Sequence, residues 1–310
     1  MFTGLDEIFV ILAIVEFILG MLGNVFIGLV NCLEWVKNQK VSSADFILTC
    51  LAVFRISQLL VVLFDSCILA LAPRLYITYR LAKSIGILWR ISNHLTTWLA
   101  TCLSIFYFFK IAYFPNSFFL WLRWRMNRVI VVLLIFSLLL LIFEYGLLEM
   151  FTNLWINIYK MDQSNLTLYL DESKTLYIEN LTLLSVTYLI PFALSLTSLL
   201  LLFLSLGRHT RSLELNSMGS SHSRIEAHKR AIKTVMSFLF LFIVHFFSTQ
   251  VANWIFPIFW TNKYTEFILL ALNIFPSGHS FILILGNSKL RQTALKVLWH
   301  FKNHLKRSNS

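Results

Sequence analysis

The sequence predicts an all-α integral membrane protein, a bundle of seven transmembrane helices with a short amphipathic helix at its C-terminal end. Three observations carry this. The chain has 310 residues, 58% hydrophobic and 13% charged, whereas soluble domains carry about 25% charged residues. Seven apolar runs follow one another, near 8–32, 45–70, 85–109, 129–150, 182–206, 231–256 and 267–286, each meeting the ~20 residues that a bilayer core demands. The basic residues are sorted: 18 of the 26 Lys and Arg fall in 33–44, 110–128, 207–233 and the tail 287–310, and 6 fall in 1–7, 71–84, 151–181 and 257–266. That excess assigns the first set to the cytoplasm and the N-terminus to the outside of the plasma membrane. Residues 1–310 read as a single seven-helix domain.

Taken in order, the first seven residues carry Asp6 and Glu7. A secretory signal opens with a basic region and closes on small residues, so the first run is expected to be retained as a helix. Glu16, Arg55, Asp65, Glu144 and His245 interrupt the apolar runs and should face the bundle interior or an interface, because polar groups are costly in hydrocarbon. Pro191 and Pro276 lie inside the fifth and seventh runs, where neighbouring helices can satisfy the freed carbonyls. The long segment 151–181 is expected outside. It carries the sequons Asn165-Leu-Thr167 and Asn180-Leu-Thr182, of which Asn165 is favoured for glycosylation because Asn180 adjoins the fifth run. The inner segment 207–230 is polar and serine-rich from Ser217 to Ser223. Beyond it, the tail alternates Lys289, Arg291, Lys296, Lys302 with Leu290, Leu295, Leu298, Trp299, the pattern of a basic amphipathic helix on the inner leaflet.

The third run organises the rest. Between Ile85 and Lys110, Trp89, Asn93 and Thr96 share one helical side, and Arg90, His94, Thr97 and Thr101 share the adjoining one. Both stripes should face protein or water, which suggests a central helix with a small-molecule cavity at one end. Simple interhelical glue is the competing explanation for each polar group.

Several function classes are excluded or weakened. The net charge of +11 does not indicate a nucleic-acid partner, since the basic residues sit in short segments between apolar runs. Cys32, Cys50, Cys67 and Cys102 lie inside or at the edge of apolar runs, with no disulfide or metal spacing. Neither a catalytic motif nor a cofactor fingerprint is present, and no cofactor or metal is expected. A small-solute transporter or channel with the same helix count is the alternative; it would want broken helix pairs, midplane carboxylates or rings of charge. Arg55 is the most informative single residue, because a buried guanidinium needs several partners. Asn24 in the first helix and Ser280 in the seventh are the expected ones, giving a network linking helices one, two and seven.

These residues also carry a resemblance. Gly23-Asn24, Leu51-Ala52 with Arg55, Phe109-Lys110-Ile111-Ala112, Leu202 with Ser205-Leu206 and His209-Thr210, Ala227-His228 with Ala231 and Lys233, and Pro276, His279-Ser280 and Asn287 with Lys289-Leu290 resemble the type 2 (bitter) taste receptors over essentially the whole chain. The chain differs from rhodopsin-like receptors at Lys110-Ile-Ala, where those have an acidic-Arg-aromatic triplet, and at His279-Ser280. It also lacks a cysteine for their disulfide between the third helix and the second outer loop. The resemblance implies a receptor for small bitter agonists that couples through a gustducin-like heterotrimeric G protein to phospholipase C and calcium. It implies that Trp89 and Asn93 line the cavity, that His245 lies near its floor, and that Leu269 stands where some relatives have a glutamate, which favours neutral or apolar ligands. Lys110, Arg123, Arg125, His209, His228 and Lys233 are the expected G-protein-facing residues, with contact to membrane lipid phosphates as the alternative. Pro276, His279 and Ser280 join Asn24 and Arg55 in the expected switch network.

Overall fold

The structure is a computed structural model and describes residues 4–39, 42–71, 79–112, 114–160, 166–216, 222–255 and 264–308. Its helices, numbered in chain order, are α1 (Gly4–Asn38), α2 (Ser43–Leu71), α3 (Tyr79–Ile111), α4 (Ser117–Trp124), α5 (Met126–Lys160), α6 (Leu166–Asn216), α7 (His222–Ile255), α8 (Tyr264–Gly286) and α9 (Ser288–Ser308). Among the described residues, α1, α2, α5, α6 and α7 each contain a stretch long and apolar enough to span a membrane. A sixth such span exists if α8 and α9 are taken together, across a 95° bend. α3 is not among them, because its first half carries Arg90, Asn93, His94, Thr96 and Thr97. It lies between other helices instead: α2, α5 and α6 pack around it, α1 closes on α2 and α8, and α7 joins α6 to α8.

The surface is the inverse of a soluble protein's. Leu22, Val132, Ile142, Phe240 and Leu285 each expose more than 60% of their surface, a continuous apolar exterior that water would not tolerate. The interior holds Ile27, Leu48, Leu51, Leu103, Phe242 and Phe275 beside Asn24, Arg55, Asn93 and Thr101, all essentially buried. α1 and α8 come very close. A Cβ on Gly20 would lie 2.5 Å from Ser277 Oγ and 2.8 Å from Leu59 Cδ1, so only a residue without a side chain permits this approach.

Local chemistry sets several helix starts. At α2, Ser42 Oγ accepts from Asp45 N–H at 3.1 Å and donates to the Asp45 carboxylate at 2.8 Å, a reciprocal cap. Asn116 Oδ1 accepts from Phe118 N–H at 2.8 Å to begin α4. Asn287 Oδ1 accepts from the N–H groups of Lys289 and Leu290 at 3.0 and 3.4 Å, so α9 starts afresh after α8 and the chain can turn. α9 then seats Leu290 in the bundle and exposes Leu295, Leu298 and Trp299, as expected of an amphipathic helix lying in an interface.

Some segments expected as loops are helical. α6 has 51 residues, which at ~1.5 Å each is about 75 Å, more than twice the ~30 Å hydrocarbon core. It covers much of 151–181 and the start of 207–230, because no glycine or proline interrupts 166–181 or 208–216. Asn165 lies outside the described residues. Asn180 lies within α6, with its side chain outside the described ones.

Candidate functional site

Contacts between Ser43 and Asn127 (3.1 Å), Lys289 and Asn31 (3.1 Å), and Arg123 and Lys110 (3.5 Å) gather the basic segments at one end of the bundle. The candidate ligand site lies toward the other end, around the first half of α3. Gln58 of α2 donates to Asn93 Oδ1 at 3.4 Å. Thr97 Oγ1 donates to Asn93 O at 2.8 Å and meets His245 Nε2 of α7 at 3.4 Å. Thr101 lies 2.8 Å from Ser195 Oγ and 3.3 Å from Pro191 O, both of α6. Trp89 packs on Ala252 of α7 and Leu272 of α8. The polar stripes of α3 thus reach three neighbouring helices.

On the remaining side, His94 Nδ1 lies 3.1 Å from Glu144 Oε2 of α5, both side chains about 1% exposed. His94 Nε2 lies 2.9 Å from Ser137 O. A carbonyl can only accept, so Nε2 carries a proton. Nδ1 is thereby turned toward the carboxyl group, and a buried His–Glu contact ties α3 to α5.

What marks this region as a site is what its polar atoms lack. Buried atoms without a hydrogen-bond partner include Gln58 Oε1, Arg90 Nη1, Asn93 Nδ2, Thr96 Oγ1, Tyr188 Oη, His245 Nδ1, Thr249 Oγ1 and Gln250 Nε2. They come from α2, α3, α6 and α7, and three of them belong to residues that border one cavity. Interiors leave few polar groups unpaired, and such clusters mark places that a guest completes. A cavity of about 10 Å³ lies among Thr97, Tyr188, Phe192, Phe242, His245 and Thr249.

Beneath it lies an aromatic layer. Phe192 stacks on Phe246 at 3.9 Å, His245 on Phe275 at 4.6 Å, and Phe275 on His279 at 5.1 Å. The Arg55 guanidinium stands 5.1 Å from the Phe275 centroid, and its Nη2 hydrogen-bonds His279 Nδ1. The sequence expectation paired Arg55 with Asn24 and Ser280; the structure gives it His279. Ser280 Oγ instead donates to Asn24 Oδ1 at 2.8 Å, and Asn24 Nδ2 donates to Pro276 O at 3.1 Å. Consecutive residues point about 100° apart on a helix, so His279 faces α2 while Ser280 faces α1. Two separate links replace one network, and α8 is common to both.

At the basic end a cavity of about 280 Å³ opens between α3, α6, α7 and α8, with Leu103, Tyr107, Leu202, Phe238 and His279 in its wall and Arg230 and Arg291 also lining it. Phe238 and His279 are 4.2 Å apart, so the aromatic layer reaches this cavity too. Lys110 lies exposed at the end of α3 with its ammonium 5.5 Å from the Phe106 ring. Arg123 and Arg125 are on and beside α4, Arg125 resting 4.8 Å from Trp121. Lys233 is exposed on α7. The side chains of His209, His228 and Leu269 are outside the described ones.

Comparison with known proteins decides the family. The model of the taste receptor protein family (TAS2R) matches residues 1–302. The chain belongs to the TAS2R taste receptor family. It is 68% identical over 313 residues to "Taste receptor type 2 member 42" of Pan troglodytes, covering 100% of this chain and 99% of that one. It is likewise 68% identical over 313 residues to the Homo sapiens protein of that name, over 100% of this chain and 99% of that one. With "Taste receptor type 2 member 7" of Papio hamadryas it shares 45% identity over 302 residues, 95% of this chain and 94% of that one. The receptor is therefore a multi-pass membrane protein of seven-helix architecture.

Sequence reasoning missed the Glu144 partner of His94, the position of Tyr188 beside the small cavity, and Arg230 and Arg291 beside the cavity at the basic end. The last two had a signal: Arg230, Thr234 and Phe238 repeat at i, i+4, i+8 on one face of α7 and all line that cavity. The first two had none, since the helices that bring them together are distant in the chain.

Proposed function

We propose that the receptor binds small bitter compounds beside the outer half of α3 and activates a gustducin-like heterotrimeric G protein, leading to phospholipase C and calcium release. It acts in the plasma membrane with its N-terminus outside and its C-terminus in the cytoplasm, and it catalyses no reaction. The observation that supports this reading most directly is the set of unpartnered buried polar atoms contributed by α2, α3, α6 and α7, three of which (on Tyr188, His245 and Thr249) belong to residues bordering one small cavity. Trp89 supplies an apolar surface there, and Asn93 a group that both donates and accepts. The aromatic layer from His245 through Phe275 to His279 joins this site to the basic cavity, where Lys110, Arg230, Lys233 and Arg291 would meet the G protein. Arg55 and His279 sit at the centre of that path and are the proposed switch contact.

The test is a calcium-mobilisation screen of diverse bitter compounds in cells that supply, or lack, a promiscuous Gα subunit. Responses that require the Gα subunit, and weaken at least tenfold in potency with Asn93→Ala, are expected. Solute flux that persists without any G protein would instead identify a transporter or channel.

A further inference from the structure

The corner between α8 and α9 is held from four helices. Gly286 closes α8 against α7, where a Cβ would lie 2.7 Å from Thr234 Cγ2. The Tyr107 hydroxyl of α3 faces the side chain of Asn287, the residue that caps α9. The Lys289 ammonium donates to Asn31 Oδ1 of α1 at 3.1 Å. It also pairs with the Glu34 carboxylate of α1 and, at 3.2 Å, with that of Asp45 of α2. Asp45 is itself fixed by the Ser42 hydroxyl at 2.8 Å.

These contacts constrain different things. Leu290 is fully buried and gives α9 a pivot, but an apolar contact has no direction and does not set how the helix turns about its own axis. Lys289 does set it, because one ammonium reaches acceptors on two helices. Successive residues point about 100° apart, so Lys289 and Arg291 flank Leu290 on opposite sides. With Lys289 seated on α1 and α2, Arg291 is turned the other way, to the basic-end cavity that it lines with Arg230 of α7. Farther along α9, Leu295, Leu298 and Trp299 are exposed.

We propose that Lys289 is a positioning residue for coupling: its clamp on Asn31, Glu34 and Asp45 sets the rotation of α9 and so holds Arg291 at the cavity where the G protein binds. This rests on the receptor reading above and adds how one of the inner cations is placed. Lys289 and Glu34 are partly exposed, so water screens the clamp. Its removal should therefore disturb coupling far more than folding.

The experiment follows uptake of a non-hydrolysable GTP analogue by purified gustducin heterotrimer, driven by the full receptor in membranes with the strongest agonist of the calcium screen. Per displayed receptor, Lys289→Met and Arg291→Gln should each lower the maximal rate about five- to tenfold, the worth of one charge-assisted contact. Lys289→Arg, which keeps the cation, should retain most of it. The two losses should not multiply: Lys289→Met with Arg291→Gln should be no slower than Arg291→Gln alone, because Lys289 acts through Arg291. Nitroxide labels at Lys37→Cys on α1 and Lys296→Cys on α9, with Cys32 and Cys67 replaced by serine, report the rotation directly. Their distance distribution should be narrow in the unaltered receptor and broaden in Lys289→Met. If Lys289→Met is not displayed, Glu34→Gln, which weakens the same clamp from α1, decides by a fall of about two- to threefold. An unchanged rate, an unchanged distance distribution, or losses that multiply would overturn the proposal and leave the receptor reading intact. If no compound drives exchange by a displayed receptor, the receptor reading falls and this one with it.

Discussion

The two ends of the bundle handle polar groups in opposite ways. At the basic end the groups are paired: Lys289 donates to Asn31 and ion-pairs with Glu34 and with Asp45 at 3.2 Å, and Asn287 and Ser42 cap their helices. Asn31 Nδ2 is left open there. At the other end, Arg90, Asn93, Thr96, Tyr188, Thr249 and Gln250 each keep a buried atom without a partner. Yet the paired end holds the cavity of about 280 Å³ and the unpaired end one of about 10 Å³. The difference teaches how a receptor divides its work. Polarity satisfied within the fold frames a space of constant shape. Polarity left unsatisfied raises the free energy of a closed site, and a ligand that supplies the missing bonds lowers it.

The sharpest way to break this comparison is at the buried His94–Glu144 pair. His94→Ala leaves Glu144 buried without its partner and should cost about 3–5 kcal/mol, read as lost thermal stability in detergent and reduced surface display. His94→Ala with Glu144→Leu should recover much of it. If the single change is harmless, the pair is not what orders the first half of α3. Next comes the close approach of α1 and α8. Gly20→Val should cost about 1–3 kcal/mol by overpacking, measured by the same melting assay, whereas a valine at the unobstructed Gly28 should be tolerated.

Lys289→Met should cost about 1 kcal/mol or less, since Lys289 and Glu34 are 27% and 39% exposed and water screens them. Its pH dependence has a definite sign. Partial burial lowers the Lys289 pKa, but the hydrogen bonds and charges of Glu34 and Asp45 outweigh that and hold it above its ordinary 10.5. A group raised on folding contributes fully below its unfolded value and loses that contribution as pH rises through the folded one. The difference between unaltered receptor and Lys289→Met should therefore be constant near neutrality and shrink only above about pH 10.5. A difference that grows with alkalinity would contradict the clamp. Smallest of all, Trp124→Ser, at an 83% exposed position, should change stability by no more than about 0.5 kcal/mol. A larger effect would mean that α4 is held by something other than its packing on α3 and α5.

Much of the fold was legible because the bilayer imposes simple rules. The apolar runs around Leu22, Val132 and Leu285 had to face lipid, and the basic residues had to segregate. Asn287 before Lys289 and Leu290 marked a fresh helix start. The polar stripes of α3 were legible by spacing alone, and Trp89 and Asn93 lie where α2, α7 and α8 meet that helix. The ends of α6 were misread because polar segments without glycine or proline look like loops in hydropathy while remaining good helix.

What the sequence determined by itself was which residues could not face lipid, since that depends on the chemistry of each side chain and the period of a helix. It named Arg55, Arg90, Asn93 and Glu144 as interior and could not say what each would meet. Only the tertiary structure decided that Arg55 meets His279, that Glu144 meets His94, and that Tyr188 faces Arg90 and Asn93. Helices tens to hundreds of residues apart in the chain choose their facing sides by packing, and a rotation of one residue, about 100°, is enough to exchange one partner for another.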